Sequence, residues 1–274
     1  MCCVSATMPP SVPDDTVPQV TLWTVRMGDC HDEDLRAAYL ALLAPAEQAR
    51  LARFVFEQDR HAYLVSRALV RTVLGQLTGL PPQDLSFDAG QQGKPALASS
   101  GTPAGASWPF NLTHTRDLAI LAVTQDRAVG VDVESMDRPA PIDVGLRQFA
   151  PLESRALADL AGSPDAQAAH FWSLWTLKES LIKATGQGLT TPLNRFGFAL
   201  TPDTVSLQCH PHTPEGDSTW WLAQWQPSER HMAALCVETL RSDGAAPLVQ
   251  AVYTVPLRQQ RPLALHISRS SGAI

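Results

Sequence analysis

The sequence predicts a mixed α+β protein, and three patterns carry that prediction. Val129, Val131 and Val133 alternate with Gly130, Asp132 and Glu134, the period of a strand, which puts both carboxylates on one face and the valines on the other. Phe171, Leu174, Trp175, Leu177, Leu181 and Ile182 recur at helical spacing, and Tyr63, Leu64, Ala68, Leu69, Val70, Val73 and Leu74 do the same in a second long segment. No heptad and no short repeat runs through the chain, which excludes a solenoid.

Taken in order, residues 1–18 are rich in Ser, Thr, Pro and Asp without period and read as a flexible lead-in. Residues 19–27 alternate as a first strand covered on both sides, and residues 44–56 form a helix. The helix of residues 59–74 is capped by Asp59 and carries Arg60 near its start and Arg67 and Arg71 further on; an amphipathic packing helix with solvated arginines accounts for Arg71. A turn at Gly93-Lys94-Pro95 presents one extended ammonium. Residues 98–107 form an exposed loop, after which Thr113 and His114 precede the strand of residues 118–123, offering a hydroxyl and an imidazole.

The polar turn Gln125-Asp126-Arg127 marks a boundary between an N-terminal domain, 19–126, and a C-terminal domain, 127–261. Beyond the central strand, residues 137–143 form a proline-bearing loop and residues 146–160 a helix. Gly162 to Asp165 break the chain before the helix that carries Glu179 and Lys183, which ends at Gly186 or Gly188. Residues 205–208, 220–225 and 232–237 are strands of a second sheet. His210 and His212 sit beside a Pro-Glu-Gly turn and are not a metal pair, and the tail from 262 frays.

Composition bounds the function. With 274 residues, 45% of them hydrophobic, the chain has ample core for one large or two modest domains. The five cysteines are odd in number and form no Cys-x-x-Cys pair, which removes a disulfide framework and a thiolate zinc site and favours a reducing cytoplasm. No apolar run is long enough to cross a bilayer, and Pro9, Pro10, Pro13, Asp14 and Asp15 stand where a secretory leader would be basic and then apolar. A net charge of −6 argues against nucleic acid, so any phosphate pocket must be built from a few local cations.

Glu179 and Lys183 stand at i and i+4 on one helix flank. Together with Asp132 and Glu134, and with Gly130 leaving room beside Asp132, they suit a hard divalent cation such as Mg²⁺, which takes carboxylates and substrate phosphate oxygens. Taken singly, each pattern is commoner on a solvated face.

The combination of Gly130-Val-Asp-Val-Glu134 with Trp175-Thr-Leu-Lys-Glu-Ser-Leu-Ile-Lys-Ala184 resembles the signature of the phosphopantetheinyl transferases, in particular the large two-domain surfactin-type class. The resemblance runs from about residue 53 to about residue 198. It implies a pseudo-dimer of two similar α+β domains, each a small sheet packed on a main helix. It also implies transfer of the phosphopantetheine arm from coenzyme A to a serine of an apo acyl or peptidyl carrier protein. By the same resemblance Asp132, Glu134 and Glu179 bind Mg²⁺, Lys183 stabilises phosphate charge, and Glu179 or a water is the general base. Arg60, Lys94, Thr113 and His114 contact coenzyme A, with Lys94 and His114 at the 3′-phosphate. Where relatives carry a further Arg, this chain has Ala62. A monomer is expected, docking its carrier between the halves near Leu181, Leu189 and Arg195. Two other readings use the same residues: a metal-dependent phosphohydrolase, and a non-catalytic coenzyme A or carrier-binding module.

Overall fold

A computed structural model describes residues 17–90, 93–98, 107–188, 191–208, 218–240 and 246–272. The N-terminal half runs β1 (Gln19–Arg26), α1 (Glu33–Leu42), α2 (Pro45–Leu51), α3 (Glu57–Thr78), the hairpin β2 (Phe87–Ala89) and β3 (Pro95–Leu97), then β4 (Phe110–His114) and β5 (Leu118–Thr124). The C-terminal half repeats the plan: β6 (Val129–Ser135), α4 (Ile142–Gln148), α5 (Pro151–Asp159), α6 (Pro164–Thr185), the hairpin β7 (Phe198–Leu200) and β8 (Val205–Leu207), then β9 (Ser218–Ser228) and β10 (His231–Leu240). The chain continues through β11 (Leu248–Val255), β12 (Gln259–Pro262) and β13 (Ile267–Ser270).

The first sheet has the order β12-β11-β1-β5-β4 and the second β13-β9-β10-β6. Strand alternation gives each sheet two apolar faces. Trp23, Val25 and Leu121 turn toward α3, while Val20, Leu22 and Ile120 meet Val129, Val131, Val133 and Leu235 in a core shared by the two sheets. α6 covers the other face of the second sheet through Phe171, Leu174, Leu177 and Leu181 against Leu222, Ala234 and Cys236. The fold is thus two α+β units, each a sheet backed by a 22-residue helix, and both helices stop at a glycine in the left-handed region, Gly79 and Gly186.

Several expectations are corrected. Residues 248–255 pair in parallel with β1 and residues 259–262 follow them, so this part of the expected C-terminal domain completes the N-terminal sheet. The expected tail contains β13, paired with β9. The helix of residues 44–56 is only Pro45–Leu51, and that of 146–160 is broken into α4 and α5, with Pro151 as the first residue of α5. α3 starts at Glu57, with no side chain capping it. Arg71 is 1% exposed: its guanidinium binds Glu47 at 2.7 Å and the carbonyls of Pro82 and Leu85. It is a buried cross-link between α2, α3 and the segment that follows. The expected lead-in through residue 16, most of the 98–107 loop, and His210 and His212 lie outside the described residues.

Candidate active site

The site begins with a glycine. A Cβ on Gly130 would lie 2.0 Å from the carbonyl oxygen of Ser180 and 2.4 Å from the nitrogen of Ala184, so only glycine lets the backbone of α6 settle this close to β6. The room expected beside Asp132 is therefore filled by the helix itself. That approach places Lys183 against Asp132, with Nζ donating to Oδ1 at 2.6 Å.

Thr113 of β4 completes the group. Its hydroxyl donates to Asp132 Oδ1 at 3.3 Å, accepts the Val133 N–H at 3.2 Å, and lies 3.4 Å from Lys183 Nζ. Asn111, two residues earlier on the same strand, accepts the Val131 N–H at 2.9 Å. β6 pairs with β10 on one side only, and its other edge is met by these side chains of the N-terminal half. The catalytic candidates thus sit on the seam between the two units.

Glu179 and Glu134 lie in the same patch. Burial, with Asp132 adding to it, pushes the Glu179 carboxyl up to about 6, and Lys183 opposes the shift. Glu134 is also raised, first by burial and then by Asp132. Its Oε1 accepts the Trp175 indole N–H at 3.0 Å and its Oε2 the Arg138 guanidinium at 2.6 Å, so both oxygens are engaged. In contrast, Asp132 Oδ2 and Glu179 Oε1 are buried without a hydrogen-bond partner. A buried orphan oxygen is costly, and two on neighbouring carboxylates are what a cation would satisfy.

Among the described residues no group of three or more His, Cys, Asp or Glu side chains forms a ready ligand set. The expectation of three direct carboxylate ligands therefore reduces to two available oxygens, with Glu134 held aside by Trp175 and Arg138. Two still fit Mg²⁺, which commonly binds one or two carboxylates and keeps its other positions for water and substrate phosphates.

The remaining expected residues are more dispersed. His114 is exposed at the end of β4. Arg60 binds Glu57 and the Phe54 carbonyl, both at 2.8 Å, and has no hydrogen bond to the Asp132 group among the described contacts. Lys94 does not extend freely from its turn: its ammonium donates to the carbonyls of Lys183 at 2.7 Å and Val129 at 3.0 Å, and burial pushes it down to about 8. Leu181 is buried against the sheet and presents nothing to a partner; Leu189 lies outside the described residues, and Arg195 is exposed. A cavity of about 1020 Å³ bordered by Arg26, His61, Arg116 and Arg230 includes none of the expected site residues. Chemistry, not cavity size, marks the site.

Sequence reasoning missed Lys178 and Glu153. Both side chains are fully buried, 2.7 Å apart, and Lys178 also reaches the carbonyls of Leu193 and Phe196 at 2.8 Å each. Burial pushes the carboxyl up and the ammonium down, each opposed by its partner. A lysine beside Glu179 in a helix of mixed character carries no sign of full burial; the proline-led start of α5, with Glu153 two residues on, was the available signal.

Residues 30–126 match the family model for the N-terminal region of 4′-phosphopantetheinyl transferases, and residues 128–236 match the model for the 4′-phosphopantetheinyl transferase superfamily. A 4′-phosphopantetheinyl transferase of Bacillus subtilis is 32% identical, over 72% of this chain and 83% of its own. The transferase HetI of a Nostoc species is 32% identical, over 80% and 87%. The transferase Sfp of Bacillus subtilis strain 168 is 28% identical, over 72% and 83%. The two family models and these relatives identify an enzyme, a transferase, and the chain belongs to the phosphopantetheinyl transferase superfamily. Within it, the chain is of the two-domain surfactin type.

Proposed function

We propose that this chain transfers the 4′-phosphopantetheine arm of coenzyme A to a serine hydroxyl of an apo acyl or peptidyl carrier protein, with Mg²⁺, releasing adenosine 3′,5′-bisphosphate. The observation that carries the reading is the pair of buried, unpartnered oxygens, Asp132 Oδ2 and Glu179 Oε1, beside the Lys183 ammonium. Asp132 and Glu179 would hold the cation, and Glu134 would join them where Arg138, more than half exposed, gives way. When bound, Mg²⁺ supplies Lewis-acid polarisation of the phosphoryl oxygens.

In the transfer, the serine oxygen forms a bond to the β-phosphorus of coenzyme A as the bond from that phosphorus to the bridging oxygen breaks. The electron pair leaves with adenosine 3′,5′-bisphosphate. Glu179, raised by burial yet ionised at neutral pH, accepts the serine proton. Lys183 is fixed by Asp132 and Thr113 with about a quarter of its side chain exposed, so it faces solvent from a set position and meets the charge that grows on the phosphates. Exposed His114 is our candidate for the 3′-phosphate, with Arg60 as a second cation; Thr113, buried and donating its one hydroxyl hydrogen to Asp132, orients the acid–lysine pair and does not meet coenzyme A. Cys30 and Cys236 are unpaired thiols, which suits a reducing cytoplasm, and we read the chain as a monomer because its two units already pair with each other. No helix among the described residues is long and apolar enough to cross a membrane.

The test is incubation with coenzyme A, Mg²⁺ and a panel of apo carrier proteins, scored by intact mass. Gain of one arm on a carrier, with adenosine 3′,5′-bisphosphate formed only when carrier is present, supports the reading. Hydrolysis of coenzyme A without carrier would make the protein a phosphohydrolase.

A further inference from the structure

We propose that Lys94 is a positioning residue: from the N-terminal half, its ammonium caps the last turn of α6 and fixes Lys183 over Asp132. This departs from the phosphate contact that the resemblance implies for Lys94.

A helix leaves its last four carbonyls without partners inside the helix. In α6, the Ile182 carbonyl takes the Gly186 N–H and the Thr185 hydroxyl, both at 3.1 Å, while the Lys183 carbonyl takes Lys94 Nζ at 2.7 Å. A cation is the favoured partner at that end of a helix, where the peptide dipoles concentrate negative charge. The same nitrogen also holds the Val129 carbonyl, at the start of the side-chain-met edge of β6. One atom therefore joins the end of the helix to the start of the strand, beside the point where Gly130 lets them touch.

The arm that carries Lys94 is anchored in the other half. Phe87 of β2 meets Phe110 edge-on at 5.9 Å, and the Arg67 guanidinium of α3 lies 4.8 Å from the centre of the Phe87 ring. At the turn, Gly93 adopts φ +80°, the Lys94 carbonyl accepts the Gly90 N–H at 2.8 Å, and Pro95 restricts residue 94 to extended backbone. The hairpin is thus a strut running from α3 to the seam. Of the three donors on the ammonium, two are spent on carbonyls of the C-terminal half. Removing them frees the turn of α6 from which Lys183 projects.

The experiment compares Lys94→Met with wild type in two ways. The first is hydrogen–deuterium exchange across residues 180–188, which does not depend on the functional reading; the expected result is faster exchange in the variant. The second rests on the transferase reading and measures transfer from coenzyme A and from 3′-dephospho-coenzyme A. We expect kcat to fall by the same factor on both donors, up to the ~10²-fold that a misplacement of about 1 Å costs, with the preference between donors kept. Unchanged kcat with the preference for the 3′-phosphate lost would overturn the inference, as would unchanged exchange. If Lys94→Met does not fold, Lys94→Arg decides by the same readouts: a guanidinium misfits the two-carbonyl cradle, so kcat falls while donor preference stays. Failure of wild type to transfer any arm would count against the functional reading, and the exchange result would still judge Lys94.

Discussion

Asp132 and Glu179 are both short of partners, but they differ in what their loss should do. Asp132 Oδ1 is the counter-charge of Lys183, whereas Glu179 offers a buried oxygen to nothing in the protein and is raised by that burial. Asp132→Ala should lower turnover ~10²-fold or more and loosen Lys183. Glu179→Gln should lower turnover by a similar ~10²-fold, the usual scale for a positioned acid–base or electrostatic group, while raising the melting temperature, because it removes a strained ionised carboxylate. Steady-state transfer rates and thermal melts on the same samples check both; near-normal turnover in either variant would reject the assignment. Gly130→Ala has a separate expected outcome. A methyl 2.0 Å from the Ser180 oxygen must push α6 off β6, costing ~1–3 kcal/mol as overpacking does. A melting curve superimposable on wild type would show that the close approach is not needed. Strand and helix periods set the faces that Asp132, Glu134 and Glu179 occupy, while their proposed roles came from the family resemblance and not from the periods. Lys94 was legible as a residue but not in its contacts, since a backbone carbonyl acceptor leaves no side-chain signature.

At the scale of elements, one device is used twice. Ala44-Pro45-Ala-Glu47 starts α2 and Ala150-Pro151-Leu-Glu153 starts α5; in each, the glutamate accepts the alanine N–H at 2.9 Å and pairs at 2.7 Å with a buried cation of the main helix. Those cations, Arg71 and Lys178, stand fourteen residues after the starts of α3 and α6, and each also binds carbonyls of the segment that follows its helix. By the same count Thr72 and Gln76 of α3 occupy the places of Glu179 and Lys183. The N-terminal unit kept the scaffold without the acid and lysine. Breaking one partner of a buried pair commonly costs ~3–5 kcal/mol, whereas removing both costs much less. Lys178→Met and Glu153→Gln should therefore each destabilise strongly in denaturant unfolding, and the double variant by clearly less than their sum. Additive losses would mean that the pair is not coupled. Only the Ala-Pro-x-Glu starts of the repeat show in the sequence, because the partner cation lies on a separate helix, differs between copies, and binds backbone carbonyls that leave no side-chain pattern.

For the whole molecule, the two units are stitched at both ends of the seam. At one end are Lys94, Asn111 and Thr113. At the other, His231, the first residue of β10, lies between Ser228, 2.8 Å from Nδ1, and Thr115 of the β4–β5 turn, 3.3 Å from Nε2. Burial lowers His231 below its ordinary value. The unfolded chain therefore takes up the proton more readily, and the stability linked to neutral His231 is present above about pH 6.5 and lost as pH falls through its depressed folded value. Relative to wild type, His231→Gln should lose less melting temperature between about pH 7 and about pH 5; His170, also lowered by burial, acts in the same direction as His231, and Glu179, raised to about 6, in the opposite one. Parallel slopes in the two proteins would remove His231 from the account. The two-unit plan followed from the family resemblance, but the return of β11 to β1 did not, because a parallel pairing across more than two hundred residues has no local pattern to announce it.

That return sets an order of events during synthesis. As the chain leaves the ribosome, β5 reaches β1 once the first unit is made, but the other neighbour of β1 is made only after β6, β9 and β10 of the second. Until then β1 presents a bare edge of unpaired N–H and C=O groups, a template for another chain. The nascent protein must keep that edge covered or uncommitted while β6 to β10 are translated, so the first unit begun cannot be completed until most of the second has been made.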